Sequence, residues 1–218
     1  MLAVGNVMSN RVLPEGAYVP WNLAIATVCV AISHSRVTRQ EIGFTKWRAG
    51  AAWGMTLFVL IAGALLLAVT MPVFNDLYHD RRVGASWSTM LYHTIVRIPL
   101  STVVLEETAF RGVLPALLAK RFGVIRGCVV ASSLFGLWHV LPALGLNKVN
   151  PTTSRLFGDG GLGIAAAVAL AVVGTTLVGL WWCWVRYRSG SVLSTMLAHV
   201  ATNSVAYAIA WAVTRSPS

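Results

Sequence analysis

The sequence predicts an all-α fold: a polytopic bundle of about six transmembrane helices forming a single membrane domain over residues 1–218. Three observations predict it. The chain is 56% hydrophobic and only 11% charged, too apolar for a fully wetted surface. Six long apolar runs span about 17 to 33, 49 to 74, 86 to 118, 124 to 146, 162 to 185 and 190 to 213, each long enough to cross a bilayer as a helix. The basic residues lie between the runs rather than along one face, so the formal charge of +10 reads as a topology signal and argues against nucleic-acid binding.

The first run follows a polar stretch containing Arg11, Pro14 and Glu15, and no clear small-residue cleavage site comes after it. It is therefore expected to remain as a span rather than to be removed as a signal peptide. The third run, taken as one helix, would be roughly 50 Å long against a hydrocarbon core of about 30 Å. It has to tilt, kink or leave the membrane, and Pro99 and Pro115 are where it can do so. The longest polar links are 34 to 48, 75 to 85 and 147 to 161. The last holds Pro151, Gly158, Gly160 and Gly161 and reads as a flexible loop. No internal repeat or second domain is visible.

If the runs alternate across the bilayer, Arg36, Arg39, Lys46, Arg48, Lys120, Arg121, Arg126, Arg186 and Arg188 share one side. The positive-inside rule makes that side cytoplasmic and leaves both termini outside. Trp21, Trp47, Trp87, Trp181, Trp182 and Trp211 fall near predicted ends, as an interfacial belt requires. Cys29, Cys128 and Cys183 sit singly inside apolar runs and read as small core residues.

Ionisable groups inside apolar runs are costly and often mark function. Glu106 and Glu107 are such groups. Arg111 follows Glu107 by four residues on the same face and can neutralise it, whereas Glu106 points about 100° away and needs another partner. Phe135 and His139 form a second i,i+4 pair, and His199 and Asn203 a third. Glu106, His139 and His199 lie 14, 13 and 11 residues from Lys120, Arg126 and Arg188, the basic ends of their helices. At about 1.5 Å per residue all three sit roughly 16 to 21 Å from one membrane face. A carboxylate beside an imidazole can deprotonate water, and a second imidazole with an amide can stabilise an oxyanion.

The ordered set Glu106-Glu107-Thr108-Ala109-Phe110-Arg111, then Phe135 with His139, then His199 with Asn203, resembles the EExxxR, FxxxH and HxxxN motifs of the CAAX prenyl protease and bacteriocin-processing (CPBP, or Abi) family. The resemblance covers about residues 100–210. It implies an intramembrane glutamic endopeptidase with Glu106 as general base, His139 as its partner on the water, and His199 with Asn203 as the oxyanion-stabilising pair. Glu107 and Arg111 would hold the motif helix in place. Phe135 reads as packing that shapes the site.

Plainer readings stand beside these. Glu107 with Arg111 is a structural ion pair, and a lone His or Asn in an apolar helix more often bridges helices than catalyses. His93 and Arg97 share a face and read as structural or substrate-lining, while His34 and His79 read as solvated. Two histidines and a carboxylate also form a zinc ligand set, but no HExxH helix is present, and neither metal nor cofactor is expected. The alternatives to an endopeptidase are a non-catalytic membrane adaptor or bacteriocin-immunity protein and, more remotely, a proton-coupled transporter. The expected partners are the lipid bilayer and a peptide or protein substrate, membrane-associated or prenylated, and the expected location is a bacterial plasma membrane.

Overall fold

Each of the six apolar runs becomes a long helical stretch, and the polar links between them hold short helical segments of their own. The structure, a computed structural model, describes residues 1–83 and 86–215, apart from the Val73 side chain. Gly84 and Ala85 of the second polar link lie outside the described residues. In chain order the principal helices are α1 (residues 2–12), α2 (Glu15–Ser33), α3 (Arg39–Ile42), α4 (Trp47–Val69), α5 (residues 87–122), α6 (Val124–Trp138), α7 (Pro151–Phe157), α8 (Gly161–Ser189) and α9 (Leu193–Val213), with short segments at Pro72–Asn75, Asp76–Tyr78, Val140–Ala143 and Leu146–Val149. No strand occurs among the described residues.

Five helical stretches are long and apolar enough to cross a membrane: α2, α4 together with the α3 segment, α6 with its extension to Ala143, α8 and α9. The sixth expected run, α5, is helical throughout, but its apolar sequence is interrupted by Arg97, Glu106, Glu107 and Arg111. It is also not uniform. Residues Tyr92–Val103 and Thr108–Val113 are π-helical, with a single α-turn, Val104–Glu107, between them. Pro99 lies inside the first π segment, where its missing N–H disturbs the normal ladder, whereas Pro115 is taken into the opening of the final α segment.

The helices meet where small residues let backbones approach. α4 packs on α9 through Gly50 and Gly54; a Cβ on Gly50 would lie 2.6 Å from the Ser191 Cβ. α6 packs on α8 through Gly136, where a Cβ would lie 2.6 Å from the Val172 carbonyl oxygen. α2 packs along α5, and Ile25, Ala26 and Cys29 join Leu105, Ala109, Phe110, Phe135 and Trp138 in the core.

One link corrects the sequence expectation, and the N-terminal stretch adds a feature beyond it. The 147–161 segment contains α7, capped by the Asn150 side chain, which accepts from the Thr153 backbone N–H at 3.1 Å, and opened by Pro151 at its first turn. Arg155 pairs with Asp76 at 2.9 Å and Asn150 Nδ2 donates to the Leu77 carbonyl, so the two links on that face are tied together. The N-terminal polar stretch is helical as α1 and lies against the bundle: Asn6 Nδ2 donates to the Trp138 carbonyl at 2.9 Å, and Ser9 Oγ donates to Asn22 Oδ1 at 2.7 Å. Asn22 in turn donates to Ser101 Oγ at 2.8 Å, joining α1, α2 and α5. Trp182 is a further correction. It is only 3% exposed and belongs to the interior rather than an interfacial belt, while Trp47, Trp87 and Trp181 are exposed as expected.

Candidate active site

The polar residues of the three motifs converge inside the bundle. Glu106 and Glu107 occupy the α-turn between the two π segments of α5, so consecutive side chains project in different directions. Both are buried, at 6% and 0% exposure.

Glu107 faces α9. Its Oε1 accepts from His199 Nδ1 at 2.8 Å and lies 3.5 Å from Arg111 Nη1. Arg111 is 1% exposed, and none of its guanidinium nitrogens finds a hydrogen-bond partner among the described residues. Its charge is held by the Glu107 carboxylate and by two aromatic faces, Phe135 at 3.8 Å and Trp182 at 5.0 Å. Phe135 thus does more than fill space: it cradles the buried cation from below, and its carbonyl positions the third residue of its own motif. His139 Nδ1 lies 2.8 Å from that carbonyl. A carbonyl can only accept, so Nδ1 carries the proton and Nε2 is left as an acceptor.

With Nδ1 of His199 donating to Glu107, its Nε2 is likewise an acceptor, and Asn203 Nδ2 donates to it at 2.9 Å. The chain Glu107–His199–Asn203 therefore fixes the amide from behind. Trp182 packs against the His199 ring at 4.8 Å between centroids, the two planes tilted by 46°. Asn203 lies in a π-helical turn, Ala201–Val205, that begins just after His199, so both the carboxylate pair and the amide stand beside widened turns of the kind that recur at functional sites.

Glu106 faces the other way. Its Oε1 accepts from Trp138 Nε1 at 2.9 Å, while Oε2 is buried, has no hydrogen-bond partner among the described residues and lies 3.8 Å from His199 Nε2. Glu106, Trp138, His139 and Asn203 line one cavity of about 840 Å³, which extends to Arg97, Arg11 and Arg82. His199 does not line it. The sequence expectation that Glu106, His139 and His199 lie at one depth thus describes residues that the structure brings together. His93 and Arg97 also line the cavity, and His34 is exposed. Among the described residues, no three His, Cys, Asp or Glu side chains are grouped so as to hold a metal ion.

Trp138 is the site residue that sequence reasoning misses. Its neighbour His139 ends α6, and the backbone there leaves the regular helix (φ −84°, ψ −1°). Tryptophan beside a motif histidine is the only local hint, and the indole's donor role depends on a contact 32 residues away in the chain.

The model of the Rce1-like family, type II CAAX prenyl endopeptidases, matches residues 87–205, more than half of the chain. The chain belongs to this family. The match runs from the first turn of α5 through the π turn of α9 and contains all three motifs. No curated protein and no solved structure matches the chain. Family membership and the apolar helices make it an integral membrane protein with the kind of function of a CAAX-type intramembrane protease, a hydrolase acting on a peptide or protein substrate in a membrane setting.

Proposed function

We propose that the protein is an intramembrane endopeptidase that hydrolyses a peptide bond with a water activated by Glu106. The observation that carries this reading is the asymmetry of Glu106: one carboxylate oxygen is fixed by the Trp138 indole, and the other is an unpartnered acceptor in the cavity wall. A buried carboxylate oxygen left without a donor is unfavourable, and such groups persist where a reaction uses them.

Glu106 Oε2 takes a proton from water, and the acceptor Nε2 of His139 holds the second water hydrogen. The water oxygen bonds to the scissile carbonyl carbon, and the carbonyl oxygen becomes an oxyanion. Asn203 has a second amide hydrogen for that oxyanion, because the first is donated to His199. Collapse breaks the C–N bond, and the proton held by Glu106 passes to the leaving amine, which restores the carboxylate. In this account His199 supports Asn203 rather than touching substrate, a division of the oxyanion-stabilising pair that matches its absence from the cavity lining. Glu107, Arg111 and Phe135 hold the framework.

The whole chain acts as one membrane domain, with residues 100–210 as its catalytic core, in a bacterial plasma membrane. A membrane-associated tail, prenylated or not, is the substrate. The test is cleavage of a peptide library by purified protein in detergent, with Glu106→Gln as the comparison. Abolished cleavage in a folded variant supports the reading, and retained cleavage removes Glu106 as base.

A further inference from the structure

The ends of α4, α5, α6 and α8 meet α3 around a second cavity, of about 660 Å³, which shares no lining residue with the cavity of Glu106. Its wall takes Lys46 from the start of α4, Lys120 from the end of α5, Val124 from the start of α6 and Arg186 from the last turn of α8. Because these are the ends of apolar helices, the cavity opens at a membrane face rather than at mid-depth.

The charge there is unbalanced. Glu41 is the only acid in the lining, and both of its carboxylate oxygens are taken, Oε1 by Lys120 and Oε2 by the Thr38 backbone N–H at 2.7 Å and hydroxyl at 3.0 Å. Arg186 is buried. Its Nη2 donates to the Glu41 carbonyl, a neutral acceptor, and its Nε has no hydrogen-bond partner among the described residues. Among those residues no carboxylate pairs with Arg186 or with Lys46.

Strained backbone holds Lys46 in place. It is the only non-glycine among the described residues with a positive φ (51°), and its stem crosses Gly190, itself at φ 71°, where an added Cβ would lie 2.7 Å from Lys46 Cδ. Glycine or asparagine adopts the left-handed region more readily; lysine adds a cation on a long stem, and strain of this kind clusters at ligand sites. Beside the two cations, Val124 and its neighbour Ile125 are exposed, so apolar surface runs from the cavity onto α6.

We propose that this cavity binds the phosphate group of an anionic phospholipid, with Arg186 and Lys46 as its cationic ligands and an acyl chain along the exposed face of α6. The arginine fork matches phosphate oxygens, the lysine adds a point charge, and basic pockets between membrane spans take such headgroups. The phosphate supplies the counter-ion that Glu41, already engaged, does not. The site stands independently of the hydrolytic reading.

The test is a titration of purified protein in dodecyl maltoside micelles with phosphatidylglycerol, phosphatidylcholine or glycerol phosphate, following the unfolding temperature. Lys46→Asn and Lys46→Gly both remove the cation and both suit the left-handed backbone, so either one decides if the other does not fold. Arg126→Gln removes an exposed charge near the same end of α6 but outside the cavity and controls for diffuse surface charge. Phosphatidylglycerol is expected to raise the unfolding temperature saturably, and phosphatidylcholine to leave it unchanged. The Lys46 variants should need about tenfold more phosphatidylglycerol for the half-maximal rise, as loss of one charge-assisted hydrogen bond gives, while Arg126→Gln should match wild type. An equal response to phosphatidylcholine, an unchanged midpoint in the Lys46 variants, or an equal loss in Arg126→Gln overturns the proposal. A Lys46-dependent response to glycerol phosphate as large as that to phosphatidylglycerol keeps the phosphate site and overturns its assignment to a lipid.

Discussion

The guanidinium of Arg111 lies 3.8 Å above the ring of Phe135, two motif residues joined across α5 and α6 with no hydrogen bond to the cation among the described residues. Burying that charge is tolerable because Glu107 and Trp182 share it. Arg111→Met leaves the buried Glu107 carboxylate without its cation and should cost about 3–5 kcal/mol, whereas Arg111→Lys keeps the charge, loses the planar stacking and should cost about 1–2 kcal/mol. Thermal unfolding in detergent should rank wild type above Lys above Met, and a Met variant as stable as wild type contradicts this account of the pair.

Trp138 offers the only hydrogen bond that Glu106 receives among the described residues. Trp138→Phe keeps an aromatic ring in the core with Phe110 and removes the donor. We expect kcat to fall about tenfold or more with KM little changed, since a hydrogen bond to a charged group is worth about 1.5–3 kcal/mol. Steady-state kinetics on one peptide checks this, and an unchanged kcat would mean that the indole does not position the carboxylate.

Asn203 and His199 should behave as one unit, because His199 does not line the cavity and its Nε2 is occupied by the Asn203 amide. Asn203→Ala is expected to lower kcat about 10²-fold, the usual cost of one oxyanion donor. Adding His199→Gln to that variant should lower it little further. A double variant whose loss equals the product of the two single losses places His199 in separate contact with substrate.

Gly136 brings α6 against the backbone of α8, which in turn carries Trp182 to His199 and Arg111. Gly136→Val should separate these helices and lower the melting temperature sharply, while Gly174→Val on α8, where a Cβ meets open space, should be tolerated. Equal melting temperatures for the two variants would contradict close approach at Gly136.

The parts legible in the sequence are those with a local period. Apolar runs give the spans, and i,i+4 spacing pairs Glu107 with Arg111 and His199 with Asn203. What is not legible depends on distance along the chain. Asn6 meets Trp138 across 132 residues and the indole meets Glu106 across 32, and neither contact has a local signature. Trp182 misleads because a tryptophan near a predicted helix end has the same sequence context whether it faces lipid headgroups or a buried arginine. The π-helical stretches are equally hidden, although Pro99 hints at one of them.

Glu106 as the base that activates water is tested most directly by cleavage of one peptide library by wild-type protein and by Glu106→Gln of matched gel-filtration profile, each with and without a metal chelator. The account predicts that the variant loses activity by about 10²- to 10⁴-fold and that chelator leaves the wild type unaffected. Cleavage surviving in Glu106→Gln, or wild-type activity abolished by chelator and restored by zinc, would contradict it.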